Sequence, residues 1–379
     1  MLHRSLPRLN CVFKHLRAVQ MSSKADEEIL VHTSNSLGVI TLNRPKALNA
    51  LNLSMARKIY SQLLTWESDP NIGVVLIKGA GDKAFCAGGD IRAVTEAGRK
   101  GEPLARDFFR EEYILNHKIG IYKKPYVAFI DGITMGGGVG LSVHGMFRVA
   151  TERTMFAMPE TAIGLFPDVG GGYFLPRLDG KLGIFLALTG FRLKSRDVKH
   201  IGIATHFVDS TKADELQKRL SGLGSRPSKD QIASVLEELQ AQSKVDADKE
   251  FSLKPHLDKI HQLFAGTTME SIFESLERDN SQWASQQLQI LKKMSPTSLK
   301  ITLRLLHEGK NRSLAENLVV EYRLSQKCVA DRDFYEGVRA VLIDKDNSPQ
   351  WNPANITDVQ PSKVDWYFSP LDANKELVL

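Results

Sequence analysis

Tyr126-Val-Ala-Phe-Ile-Asp-Gly-Ile-Thr-Met-Gly-Gly-Gly-Val-Gly-Leu141 is the stretch on which the reading of this chain turns. Its apolar run, Tyr126 to Ile130, has no polar alternation and reads as a strand covered on both faces. The glycine cluster and the helical segment Gly138–Val143 then place bare backbone N–H groups at a helix N-terminus, where a partial positive charge sits. Such a place suits a forming anion. A second small-residue turn, Phe85-Cys-Ala-Gly-Gly-Asp-Ile91, follows the strand-like run Val74-Val-Leu-Ile-Lys78 and supplies a second N–H. Two converging amides make an oxyanion hole for a carbonyl gaining negative charge. One glycine cluster alone serves just as well as a tight turn. The ordered set is what carries weight: Gly38-Val-Ile-Thr-Leu-Asn-Arg-Pro45 with Leu48-Asn-Ala-Leu51, then the two glycine turns, then Met158-Pro-Glu-Thr-Ala-Ile-Gly-Leu-Phe-Pro-Asp-Val-Gly-Gly171.

Outward from these motifs, Ile29–Thr33 and Val39–Leu42 read as a hairpin across a polar turn. Met55, Ile59, Leu63 and Trp66 mark a helix by their spacing. Further strands fall at Val127–Ile130 and Phe147–Val149, and helices at Leu104–Asn116 and Lys181–Leu188. This strand, strand, helix rhythm predicts an α/β core over residues 25–210. Beyond it, apart from Ala204–Val208, helical segments succeed one another through residues 211–379, the last of them Pro296–Glu308, Leu314–Val329 and Asp331–Leu342. The polar, charge-rich residues 221–255 read as a surface excursion.

Residues 1–24 carry Arg4, Arg8, Lys14, Arg17 and Lys24, several apolar residues and no acid, the composition of a mitochondrial presequence, with a disordered basic tail as the plainer alternative. Removing those five charges from the net +6 leaves about +1, so charge demands no nucleic-acid partner. No apolar run approaches the ~20 residues that cross a bilayer. The cysteines, Cys11, Cys86 and Cys328, have neither disulfide-framework nor zinc-ligand spacing. Cys86 flanks the glycine turn without a neighbouring base and reads as a packing residue.

Together the motifs resemble the crotonase (enoyl-CoA hydratase/isomerase) superfamily over roughly residues 28–360. The resemblance implies a crotonase-like spiral of ββα units with a helical C-terminal region that covers the ligand or mediates contacts between copies of the chain. It implies an acyl-CoA substrate, with coenzyme A part of the substrate and no separate cofactor or metal. Within the superfamily the likeness is to the branch that hydrolyses 3-hydroxyacyl-CoA thioesters in mitochondrial valine breakdown. The segments Glu321–Cys328, Asp333–Asp346 and Trp351–Pro353 point to that branch, although as residues alone they are an amphipathic helix and a loop. Carried over position by position, the oxyanion donors are the amides of Gly89 and Gly137. Coenzyme A lies along Lys46, Ala47, Leu48, Ala87, Gly89, Asp90 and Ile91, with Lys46, Arg92 and Lys345 as candidates for its phosphates.

Three acids complete the expected site. Glu160 follows Pro159 among apolar Phe156, Met158 and Ile163; a carboxyl buried there holds its proton to higher pH, which suits proton transfer. On its own it is an ordinary loop glutamate, and the match to the superfamily's catalytic position makes it the expected base or nucleophile. Asp168 has two readings, a helix N-cap and, by resemblance, a partner of the substrate hydroxyl or attacking water. Glu112 matches a substrate-contacting position, whereas its charged neighbours read as a solvated helix face. Hydratases of the superfamily carry a second glutamate where this chain has Gly140, an absence that argues against hydration. The alternatives are an enoyl-CoA hydratase or isomerase and a non-catalytic subunit of a mitochondrial ribosome.

Overall fold

The computed structural model describes residues 27–379; the basic leader at residues 1–24, Cys11 included, lies outside them. Strands β1 (Ile29–Ser34) and β2 (Leu37–Leu42) form the expected hairpin, turning at Asn35 in the left-handed region (φ 51°). Helix α1 (Leu53–Ser68) starts where the Asn52 side chain accepts a hydrogen bond from the Met55 amide, and it buries Met55, Ile59, Leu63 and Trp66. From there the chain repeats one unit. A longer strand enters a main sheet, a short strand enters a second sheet, and a helical segment returns: β3 (Val74–Gly79), β4 (Ala84–Cys86), then α2 (Ile91–Arg99) and α3 (Leu104–Gly120). Next come β5 (Tyr126–Ile130), β6 (Ile133–Met135) and α4 (Gly137–Gly140), followed by β7 (Phe147–Ala150) and β8 (Met155–Ala157). The remaining turn passes through α5 (Gly171–Phe174), α6 (Leu182–Thr189), β9 (Leu193–Lys194), α7 (Asp197–His200) and β10 (His206–Phe207).

The main sheet runs β1-β2-β3-β5-β7-β10 and the second β4-β6-β8-β9. Beyond the hairpin, the main sheet is parallel, with Leu76 paired to Val39 and to Val127. Its inner strands β2 and β5 are buried on both faces. Ile40, Ile77 and Ala128 face one core with α1 and α3, while Leu37, Val39, Leu76, Val127 and Phe147 face a smaller one. That smaller core is closed by Leu216 and Leu220 of α8 (Ala213–Ser221) and Ile232, Val235, Leu236 and Leu239 of α9 (Lys229–Gln242). The stretch read as a surface excursion therefore contains the helix that shields the back of the sheet. A parallel sheet needs that cover.

The helices that follow are α10 (Leu257–Leu263), α11 (Met269–Asp279), α12 (Gln282–Leu291), α13 (Pro296–Gly309), α14 (Leu314–Ala330), α15 (Arg332–Val338) and α16 (Pro361–Phe368). Here α14 lies against α3, and α13 against α5. The single helix expected over Asp331–Leu342 instead changes at Arg339 into a π-helical turn, Arg339–Ile343. Among the described residues, no helix is long and apolar enough to cross a membrane.

Candidate active site

The two glycine turns meet at the ends of β4 and β6. Gly136 takes φ 44° and ψ −118°, which a side chain would strain, and it swings the chain so that Gly137 opens α4. A Cβ built on Gly137 would lie 3.2 Å from the Gly89 amide nitrogen and 2.6 Å from Glu112 Oε1. The two turns, far apart in sequence, thus abut. The Gly89 turn is fixed from behind by the Leu51 amide donating to Gly88 O and the Asp90 amide donating to Leu51 O. Among the described residues, neither the Gly89 nor the Gly137 amide has a protein acceptor.

Both glycines line a cavity of about 420 Å³. Its polar wall holds Glu112, Glu160 and Asp168, and its apolar wall includes Ile91, Met135, Ala162, Ile163 and Leu165. Arg192, Val341, Leu342 and Asn347 also line it, so the π-helical turn contributes to the same space. Glu160 opens the 3-10 turn Glu160–Ile163 and is 5% exposed. Its Oε1 would lie 3.1 Å from a Cβ on Gly136, and its Oε2 is buried with no partner. Glu112 sits on α3, which turns Phe108, Phe109, Glu112, Tyr113 and Asn116 inward. At 2% exposure it is not on a solvated face, and its Oε1 is also unpaired.

The Tyr113 hydroxyl donates to Asp168 Oδ2 at 2.7 Å. Asp168 does not cap α5 with its side chain. That task falls to Glu321 of α14, whose carboxylate accepts from the Gly170 and Gly172 amides at 2.7 and 2.9 Å. Burial pushes Glu112 and Glu160 well above the ordinary carboxylate range, and the charge of Asp168 pushes the same way. Burial lifts Asp168 to about 7 against the Tyr113 hydrogen bond, which favours its anion. Cys86 is fully buried and its thiol is pushed up to about 12 by burial, in keeping with packing rather than nucleophilic use.

The cavity therefore combines free main-chain donors with carboxyls whose protons are held above the ordinary carboxylate range, the parts that acyl transfer at a carbonyl requires. The family model described as enoyl-CoA hydratase/isomerase matches residues 37–368. The chain belongs to the enoyl-CoA hydratase/isomerase family. It is 59% identical over 367 residues to the human protein named mitochondrial 3-hydroxyisobutyryl-CoA hydrolase, covering 97% of this chain and 95% of that one. The Xenopus laevis protein of the same name is 61% identical over 364 residues, covering 96% and 94%. Among solved structures, a carnitinyl-CoA dehydratase from Mycobacterium thermoresistibile superposes with TM-score 0.85 at 36% identity, over 93% of this chain and 99% of that one. An enoyl-CoA hydratase from Rhodobacter sphaeroides gives 0.84 at 37%, over 93% and 100%.

In this family member, the position expected to hold a second glutamate in hydratases is closed. A Cβ on Gly140 would lie 2.7 Å from both Asn116 Nδ2 and Val169 Cβ. The residues expected along coenzyme A divide. Ala87, Gly89 and Ile91 line the cavity, while Lys46 and Ala47 are exposed on the 3-10 turn Pro45–Ala47. The Ala87 amide donates to Leu48 O at 3.0 Å, which joins that turn to the rim. The Asp90 carboxylate accepts from Arg44 at 3.0 Å, and Arg92 pairs with Glu96, so these two are occupied within the protein. Sequence reasoning missed Tyr113 and Glu321. Glu321 carries a signal: it is an acid set among Leu318, Leu324 and Cys328 on the apolar stripe of α14.

Proposed function

We propose that the chain hydrolyses the thioester of 3-hydroxyisobutyryl-CoA, and beside it 3-hydroxypropionyl-CoA, to free coenzyme A and the hydroxy acid in mitochondrial valine breakdown. Coenzyme A then arrives with the substrate and leaves as product. The names of the human and Xenopus relatives support this reading, and the leader at residues 1–24 agrees with import. The observation that carries it is the pair of amides at Gly89 and Gly137, without acceptors among the described residues, on the wall of a cavity that also holds Glu160, whose Oε2 has no partner among those residues.

In this mechanism the thioester oxygen takes both amides, and the charge it gains at the tetrahedral stage is held there; one such donor contributes ~2.7–4 kcal/mol. Glu160 in its ionised form removes a proton from water as the oxygen adds to the carbonyl carbon. Alternatively it adds itself and forms an anhydride that water opens. In the first route the C–S bond breaks as the oxyanion collapses and the thiolate of coenzyme A takes up the proton that Glu160 accepted; in the second the thiolate leaves as the anhydride forms and takes its proton from the water that opens it. Asp168 and Glu112 hydrogen-bond the 3-hydroxyl, a polar match that an apolar pocket lacks. Ala87, Gly89, Asp90 and Ile91 flank the pantetheine, and Lys46, Ala47 and Leu48 form the outer rim for the nucleotide.

The alternative, hydration of an enoyl-CoA, is favoured by the names of the two solved neighbours. The slot at Gly140, filled by Asn116 and Val169, weighs against it. Thiol release from 3-hydroxyisobutyryl-CoA, measured beside hydration of crotonyl-CoA, separates the two. We expect thiol release, lowered ~10²–10⁴-fold in Glu160→Gln. Brisk hydration without thiol release would overturn the reading.

A further inference from the structure

We infer that Glu321 is a positioning residue for this reaction: from the C-terminal helix α14 it holds the turn Asp168–Gly172 in a strained shape that aims the Asp168 carboxyl into the cavity. The inference rests on the proposed function and assigns a part to a residue outside the cavity.

Glu321 is fully buried, and both carboxylate oxygens are used, one on the Gly170 amide and one on the Gly172 amide. Among the described residues, no lysine or arginine pairs with Glu321, Asp168, Glu160 or Glu112. A carboxylate buried without a cation is costly, and it persists where its hydrogen bonds fix something that matters. What it fixes is unusual backbone. Val169, a β-branched residue, takes φ 51°, the left-handed region that such side chains avoid. Its carbonyl meets His144 Nε2 at 2.7 Å, its amide neighbours two residues apart are clamped by Glu321, and Asp168 before it is held by the Tyr113 hydroxyl. Strain of this kind at the residue beside a reacting group indicates pre-organisation.

Charge links the same groups. Burial raises Glu321 to about 8, and the charge of Asp168 raises it further, while the two amides oppose that. Asp168 at about 7 thus ionises before Glu321. The groups facing this pair are Glu112 and Tyr113 from α3, Glu160 from the 3-10 turn, His144 beyond α4 and Cys328 on α14 itself. Burial depresses His144 to about 4, so it is neutral throughout the working range. Arg110 stacks on Tyr322 and donates to the carbonyls of Lys375 and Glu376, away from the pair.

The test compares wild type, Glu321→Gln and Glu321→Asp in kcat, KM and pH profile with 3-hydroxyisobutyryl-CoA, with thermal melts in parallel. In Glu321→Gln one amide loses its acceptor, so kcat falls ~10–100-fold while KM stays within about threefold. The deficit widens as pH rises through about 8, where Glu321 ionises and its two oxygens grip both amides, a step that a merely structural loss does not show. Glu321→Asp keeps an ionisable carboxyl, so the step persists and part of kcat returns. Wild-type kcat in folded Glu321→Gln, or a deficit that does not change with pH, would overturn the inference, as would a lowered melting temperature with unchanged kcat. Should wild type release no thiol, the functional reading fails instead. Carbon-13 titration of the Asp168 carboxyl then decides the inference alone: a second step near pH 8 from the neighbouring Glu321 that Glu321→Gln abolishes supports it, and a curve unchanged by Glu321→Gln refutes it.

Discussion

At Gly137 a single missing methyl keeps the oxyanion site open. An alanine there would bring its Cβ to 2.6 Å from Glu112 Oε1 and 3.2 Å from the Gly89 nitrogen. Gly137→Ala is therefore expected to fold and to lose ~10²–10³-fold in kcat, the effect of losing one oxyanion donor, as steady-state thiol release would show. Tyr113 offers a second test. Its hydroxyl favours the Asp168 anion, so Tyr113→Phe raises the Asp168 carboxyl above its value of about 7. The acidic limb of kcat/KM should move to higher pH. The two glycine turns were legible as contiguous motifs, whereas the roles of Glu160, Asp168 and Glu112 were legible only by resemblance. Glu112 is further disguised by the charged, half-buried Arg110 and Glu111 beside it, which make a buried face of α3 read as a solvated one. Tyr113 gave no signal, because a tyrosine at helical spacing reads as core whether or not its hydroxyl has work.

Elements differ in how plainly they show themselves. The runs Val74–Ile77 and Tyr126–Ile130 are apolar enough to read as strands, whereas β4, β6 and β8 have three residues each, too short for any period to emerge. Their pairing comes from the spiral, which stacks Ile133 between Ala84 and Met155. Helix α9 was visible by spacing but its place was not, because a polar surrounding segment hides four apolar residues on one face. Leu236, fully buried against the sheet, tests that placement. Leu236→Ala should destabilise the protein by ~2–5 kcal/mol in chemical denaturation and leave kcat of the folded fraction unchanged. A change below about 0.5 kcal/mol, the range of surface substitutions, would return the segment to the surface.

For the molecule as a whole, four buried acids make stability depend on pH in a definite direction. Glu112, Glu160, Asp168 and Glu321 all hold protons to higher pH than in the unfolded chain, so the folded state binds more protons above the ordinary carboxylate range. Stability is complete below that range and declines as pH rises, through about 7 for Asp168 and about 8 for Glu321. On the acid side the opposite holds for Glu67, Glu308 and Asp331, whose partners depress them and whose contribution is lost as pH falls. The melting temperature should peak in mildly acidic solution. Glu160→Gln should flatten the alkaline decline, melting above wild type at pH 8.5 and nearer to it at pH 5, at the expense of turnover.

The packing around Gly140 also bears on how this chemistry changes hands within the fold. Because Asn116 and Val169 both press on the site where a carboxylate would have to stand, Gly140→Glu alone meets a filled space. A route from water addition at a double bond to water attack on a thioester must then pass through coordinated exchanges on two segments, one of them the turn that carries Asp168. Substitution one residue at a time crosses such a gap with difficulty.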